Sequence, residues 1–247
     1  MHSFTFALTA LLAATGSFAA PVNSTFHILS KRDAVCGSDF RALVSKESCL
    51  PHGAAFQLTP PSTIARNTLT ATTVAAVPAN LQCDHTLELQ LLNSVFIQSG
   101  VCRILTAMTA ADSGQSKATL LGPAATHISA LANLNFLDST VNNKKKSVVQ
   151  KSISSSAQAT TDLDKAVGNY LALVNTATRA VAQTLDQDVT TIRNEATALH
   201  ASLPDDPARR SKAAAAKAEL AAAIAAFDAT RSVVAAWDKL IVDAPHS

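Results

Sequence analysis

Apolar residues mark one helical face after another along this chain. From Leu163 the positions Leu163, Val167, Tyr170, Val174, Ala177, Val181, Leu185, Val189, Ile192, Ala196, Leu199 and Leu203 follow in steps of three or four. That spacing keeps them all on one side of an α-helix. It predicts a helix of roughly 40 residues, about 60 Å long, with Gly168-Asn169 as its kink point. Leu87, Leu91, Val95, Cys102, Leu105 and Met108 predict a helix from a cap at Asp84 to Ala111, weakened at Gly100. His127, Ile128, Leu131, Leu134, Leu137 and Val141 predict another, opened by Pro123 and ending near Asn142. After the turn Leu203-Pro204-Asp205-Asp206-Pro207, the residues Leu220, Ile224, Phe227, Val234, Trp237 and Ile241 form a last stripe. The alanines at 213–216 and 221–223 suit close helix approach.

Between residues 50 and 82 the pattern fails. Pro51, Pro60, Pro61 and Pro78 break any long helix. This stretch reads as a Pro/Thr-rich loop, and the hydroxyls between Thr59 and Thr73 are either O-glycan acceptors or plain loop residues. The expected fold is therefore all-α: a single domain over 33–247, built as a bundle of four to six mostly antiparallel helices. Composition agrees, with 48% hydrophobic residues but only 4% aromatic. Such a make-up excludes disorder and disfavours a β-sandwich.

The N-terminus reads differently. Phe4 to Ala14 is an apolar run, followed by the small residues Ser17 and Ala19 at cleavage-site spacing. Residues 1–19 are read as a secretory signal peptide. Residues 20–32 are read as a prosegment ending in the dibasic pair Lys31-Arg32, similar to sites cut by kexin-type processing proteases. The expected location is extracellular or in a cell wall, and no transmembrane segment is expected. The net charge of +2 contains that pair, so the mature chain carries eighteen basic and eighteen acidic residues. A neutral chain has little electrostatic reason to bind nucleic acid.

Cys36, Cys49, Cys83 and Cys102 are all the cysteines, and an even count in a secreted chain predicts two disulfides. Phe40, Leu43 and Val44 suggest a short helix between Cys36 and Cys49, capped by Ser38. If each cysteine pair brackets a continuous helix, roughly 20 Å and 28 Å long, neither pair can close on itself. The bonds then cross between helices. An antiparallel arrangement gives Cys36–Cys102 and Cys49–Cys83 and is favoured; a parallel one gives Cys36–Cys83 and Cys49–Cys102.

Few residues suggest chemistry. Asp84, His85 and Glu88 fall within one helical turn but are better read as cap or surface groups. His127 is read as a packed or partly exposed core histidine on an apolar stripe. The pairs Asp162/Asp164 and Asp186/Asp188 point to different helix faces and read as solvated. Lys144-Lys145-Lys146 reads as a solvated loop, and Arg209-Arg210 as a second dibasic pair that stays intact. There is no phosphate loop, no G-x-S-x-G and no metal-binding motif, so no catalytic, cofactor or metal site is assigned.

The secretion signals, the helical periodicity from Val148 to Val242 and the Ser/Thr/Ala-rich make-up resemble fungal secreted cell-wall proteins of the hydrophobic-surface-binding and galactomannoprotein type. The resemblance implies a secreted, cell-wall-associated protein. The amphipathic stripes suggest a non-enzymatic role in binding lipid or hydrophobic surfaces. The apolar lining would come from Leu163, Val167, Val174, Val181, Leu220, Ile224, Phe227 and Trp237. The alternative is an effector or structural interaction protein with a host or cell-wall protein as partner.

Overall fold

The structure, a computed structural model, describes residues 34–40, 45–52, 54–205 and 212–246. Lys31, Arg32, Arg209 and Arg210 lie outside these residues, as do Leu43 and Val44. Among the described residues the chain is not all-α. It is 62% helix and 13% strand, with eight helices and two sheets.

The first correction falls on the short helix expected after Cys36. Ala34–Val35 (β1) and Ser38–Asp39 (β2) instead pair antiparallel around Cys36-Gly37. Both turn residues have positive φ, +50° and +89°, the geometry that matches the twist of a two-residue hairpin. Asn93 fixes the turn, its side-chain carbonyl accepting the Cys36 N–H at 3.0 Å.

The second correction is the supposed loop at 50–82. Ala54–Thr59 (β3) and Thr63–Thr68 (β4) form an antiparallel hairpin, and Leu81–His85 (β5) is a further strand. The prolines punctuate this hairpin and strand rather than interrupt a helix: Pro60 and Pro61 occupy the turn, and Pro78 precedes β5. Thr59, Thr63 and Thr68 are β-branched residues at the ends of these strands.

Leu134–Asp138 (β6), expected inside a helix, is the fully buried inner strand of the sheet β4-β3-β6-β5. It runs parallel to β3 and antiparallel to β5. A strand buried on both faces has no polar alternation, and Leu134 and Leu137 happen to satisfy a three-residue step as well.

The expected Asp84–Ala111 helix is also divided. Leu89–Gln98 (α1) and Val101–Ala111 (α2) meet at 72°. The break is at Ser99-Gly100, where Gly100 takes φ +88° and the Ala226 carbonyl lies close by. Lys117–Leu120 (α3) and Gly122–Ile128 (α4) follow, then Ser139–Ile153 (α5) after β6. Among the described residues no single helix is long and apolar enough to cross a membrane.

The long amphipathic stripe gives Asp162–Ser202 (α6), 41 residues. A capping box opens it, in which the Thr161 hydroxyl oxygen accepts the Asp164 N–H and the Asp164 carboxylate accepts the Thr161 N–H. Gly168 marks no break in α6. A Cβ there would lie 1.8 Å from the Pro245 carbonyl oxygen, so glycine admits the C-terminal segment against the helix. The last stripe is two helices, Lys212–Ala225 (α7) and Val233–Asp243 (α8).

Helix α6 runs through the main core, in which Tyr170, Leu171, Leu185 and Ile192 pack with Phe96, Ile104, Leu105 and Trp237. That core covers one face of the sheet through Phe56 and Leu137. A smaller cluster on the other face holds Ala55, Leu81, Leu134 and Phe136 with Cys49. The disulfides staple both layers. Cys49–Cys83 ties the 3₁₀ segment Lys46–His52 to β5, and Cys36–Cys102 ties the first hairpin to α2, with Cα atoms 5.7 and 5.1 Å apart. These are the pairs the antiparallel argument names, but its premise fails, because Cys36 lies in a turn and Cys83 in a strand.

Candidate functional site

Two places gather polar chemistry. The first is a buried ion cluster made of residues that the sequence pattern scatters among caps and loops. Lys145 lies on α5, not in a loop, and its side chain is 0% exposed. Its ammonium donates to Asp84 of β5 and to the His85 carbonyl at 2.7 Å, and sits 3.2 Å from Glu88 Oε1 just before α1. The Tyr170 ring lies under it, 5.9 Å away. The Tyr170 hydroxyl shares a 3.1 Å hydrogen bond with Thr86, which in turn accepts from Asn135 at 2.8 Å.

One cation faces two carboxylates here. Burial depresses the Lys145 ammonium, but Asp84 and Glu88 outweigh it and hold the group above its ordinary range. Burial pushes the Asp84 carboxyl up to about 7 despite Lys145, and Glu88 adds to the rise. The physical reason is burial first and charge count second: one ammonium faces two carboxylates in a site closed to water. Burial also raises the Tyr170 phenol, as does the Asp84 charge. The cluster joins β5, α1, α5 and α6, and none of its members lines the cavities described below.

Other acidic residues read as solvated also hold the fold together. The Asp186 carboxylate accepts the Val233 and Val234 N–H groups at 2.7 and 3.1 Å, capping α8 from across the α6–α8 interface. Asp188 pairs with His127 at 2.8 Å, and His127 is partly exposed. Asp164 lies 3.0 Å from Lys144.

The second place is a groove of about 240 Å³ between α1, α5 and α8. Leu91 and Val95 of α1, Ile153 of α5, and Ala235 and Ala236 of α8 give it an apolar floor. Ser94, Gln98, Ser152, Ser155, Thr230, Ser232, Arg231 and Lys239 complete the lining with polar groups. The small side chains at 235 and 236 leave the space open, because bulky Val233, Trp237 and Leu240 point from the other side of α8 into the core. Lys239 is held in place: its ammonium donates to the Ser152 carbonyl at 2.8 Å and to Asp243, which also accepts the Ser152 hydroxyl at 2.6 Å. Ser155 closes α5 at φ +52°, with the Ser156 N–H reaching back to the Lys151 carbonyl at 2.8 Å. That left-handed position favours glycine, yet a side chain is kept there beside the groove.

Other depressions lie on the described surface. One, about 590 Å³ but more open, is lined by Met108, Leu120, Pro123 and Leu199 with Glu195 at its side. Another lies over the β3–β4 hairpin beside Leu69 and Leu81.

None of the eight residues read as an apolar lining borders these cavities. Val167, Val174, Val181, Leu220 and Trp237 are buried in the core, and Leu163, Ile224 and Phe227 pack partly buried against it. Trp237 donates its indole N–H to Asn175 at 2.8 Å, and Arg193 covers Phe227. The stripe that fills a core and the stripe that lines a cavity have the same period. The signal that separates them is the pair of small residues, Ala235-Ala236, flanked by serines and cations. Among the described residues no three His, Cys, Asp or Glu side chains converge as a metal site.

The chain matches no protein-family model, no curated protein and no solved structure.

Proposed function

We propose that this is a secreted, non-enzymatic, cell-wall-associated protein that binds an apolar or amphipathic ligand, and that the α1–α5–α8 groove is where it does so. The observation that carries this reading is a concave lining in which Leu91, Val95, Ile153, Ala235 and Ala236 supply apolar surface among a few polar groups. A concave apolar surface with a few orienting polar groups is the usual form of a small-ligand site. Two disulfides are compatible with an extracellular protein. The hydrophobic-surface-binding and galactomannoprotein resemblance points the same way.

The test uses mature protein starting at Asp33, measured for displacement of a fluorescent fatty acid and for adsorption to octyl-coated beads. Ala236→Trp fills the groove from an incompletely buried position, so it should abolish displacement while leaving the unfolding midpoint within a few degrees. Undiminished displacement in this variant places the ligand elsewhere. A second reading, an interaction protein with a protein partner, draws on Leu173 and Val242, large apolar side chains on α6 and α8 that face solvent.

A further inference from the structure

We infer that the ligand of this groove is a single-chain aliphatic monocarboxylate, with its carboxylate on Arg231 and its chain on the apolar floor. The inference rests on the groove being the binding site proposed above, and adds the chemical class. Three observations carry it. The first is charge: the lining contains Arg231 and Lys239 and, among the described residues, no acidic side chain. Asp228 and Asp243 pair with these cations from outside the lining, so an anionic head meets donors there while an ammonium head meets no carboxylate in the lining.

The second is availability. Lys239 is already engaged by the Ser152 carbonyl and neutralised by Asp243, so it is not the group that receives the head. Arg231 is different. Its side chain is 59% exposed, and its Nε lies 3.5 Å from an Asp228 carboxylate oxygen. An exposed pair of that kind contributes little. The planar end of the guanidinium can therefore take a carboxylate through two parallel N–H···O bonds, the geometry that distinguishes Arg from Lys.

The third is size. A cavity of about 240 Å³ lies below the usual range for drug-sized ligands. It accommodates one short aliphatic segment, not the paired tails of a membrane lipid. Ile97, also 59% exposed, lies on α1 at the outer flank of Ser94. It offers an apolar shoulder for chain that extends past the floor.

Calorimetric titration with decanoate, decanol and decylammonium, each below its aggregation concentration, tests this. Wild-type protein should bind decanoate about tenfold more tightly than decanol, one charge-assisted contact's worth of affinity, with decylammonium weakest. Arg231→Gln should bring decanoate to the level of decanol and leave decanol unchanged. Arg231→Lys should recover only part of the preference. If wild-type protein binds decanoate and decanol equally, the carboxylate assignment is overturned while the groove reading stands. If none of the three binds, both fall. Vesicles of phosphatidylcholine with phosphatidylglycerol supply the other source of an anionic head. Absence of co-sedimentation is expected, and Arg231-dependent co-sedimentation without decanoate binding would assign the site to a membrane surface instead.

Discussion

The excess carboxylate at Lys145 makes stability depend on pH in a direction that can be worked out. Asp84 has an ordinary value of 3.8 and is pushed up to about 7 in the fold, by burial first and by Glu88 in addition. The folded chain therefore holds a proton that the unfolded chain releases. The associated stability is fully present below about pH 4 and is lost as pH rises through about 7. A shift of about three units at about 1.4 kcal/mol each sets a ceiling of roughly 4 kcal/mol. For a chain of this size that ceiling corresponds to a fall of at most roughly 8–16 °C in unfolding midpoint across the whole transition, most of it between pH 4.5 and 8.

Asp84→Asn imitates the protonated form. It keeps a side-chain oxygen for Lys145 and leaves Glu88 as the only counter-ion. Thermal unfolding followed by circular dichroism should show a midpoint that falls with pH in the wild type and is nearly flat in Asp84→Asn. At pH 8 the variant should be at least as stable as the wild type. Equal slopes in the two proteins, or a wild-type midpoint that rises over this window, would refute the charge-count argument. Below about pH 4 the trend should reverse. Side-chain hydrogen bonding from Thr161 and Lys144 overcomes burial and holds Asp164 below its ordinary range, and hydrogen bonding from Lys239 and Ser152 does the same for Asp243. Protonating them removes stability.

Three other perturbations follow from particular contacts. Gly168→Ala should destabilise the chain by about 1–3 kcal/mol through its clash with Pro245, and truncation after Ala244 should convert it into a gain of about 1 kcal/mol from helix propensity; a destabilisation that survives truncation would discredit the packing explanation in a denaturant titration. Ser155→Gly should raise stability by about 0.5–1 kcal/mol by relieving φ +52°, and a loss in the same titration would show that the Ser155 side chain holds the α5 terminus. Asp186→Ala should cost about 1–2 kcal/mol by uncapping Val233 and Val234, with amide exchange accelerated at the start of α8; unchanged exchange there would rule out the cap.

The long helix α6 was readable because a twelve-position stripe of three- and four-residue steps has no strand alternative. Elsewhere the same logic failed for physical reasons. Leu134 and Leu137 fit a helical step, yet Leu134–Asp138 is a strand buried on both faces, and such a strand carries no periodicity to read. The β3–β4 hairpin hid behind its prolines and threonines, which suit a loop and a hairpin equally well. Lys145 was least accessible of all, since a lysine between two lysines gives no sign of burial. Its partners Asp84 and Glu88 lie about sixty positions away, and only the pairing of β5 with β6 brings them beside α5. The groove has no periodicity of its own in the sequence, because a filled core and a lined cavity share one period, and only the small residues Ala235-Ala236 tell them apart.

A photoactivatable aliphatic carboxylic acid, crosslinked to the mature protein and mapped by peptide mass spectrometry, tests the central claim most directly. The account predicts labels on residues 91–98, 152–155 and 230–239, suppressed by unlabelled decanoate and lost in Arg231→Gln. Labelling confined to the depression beside Met108 and Leu199, or no labelling that decanoate suppresses, would contradict it.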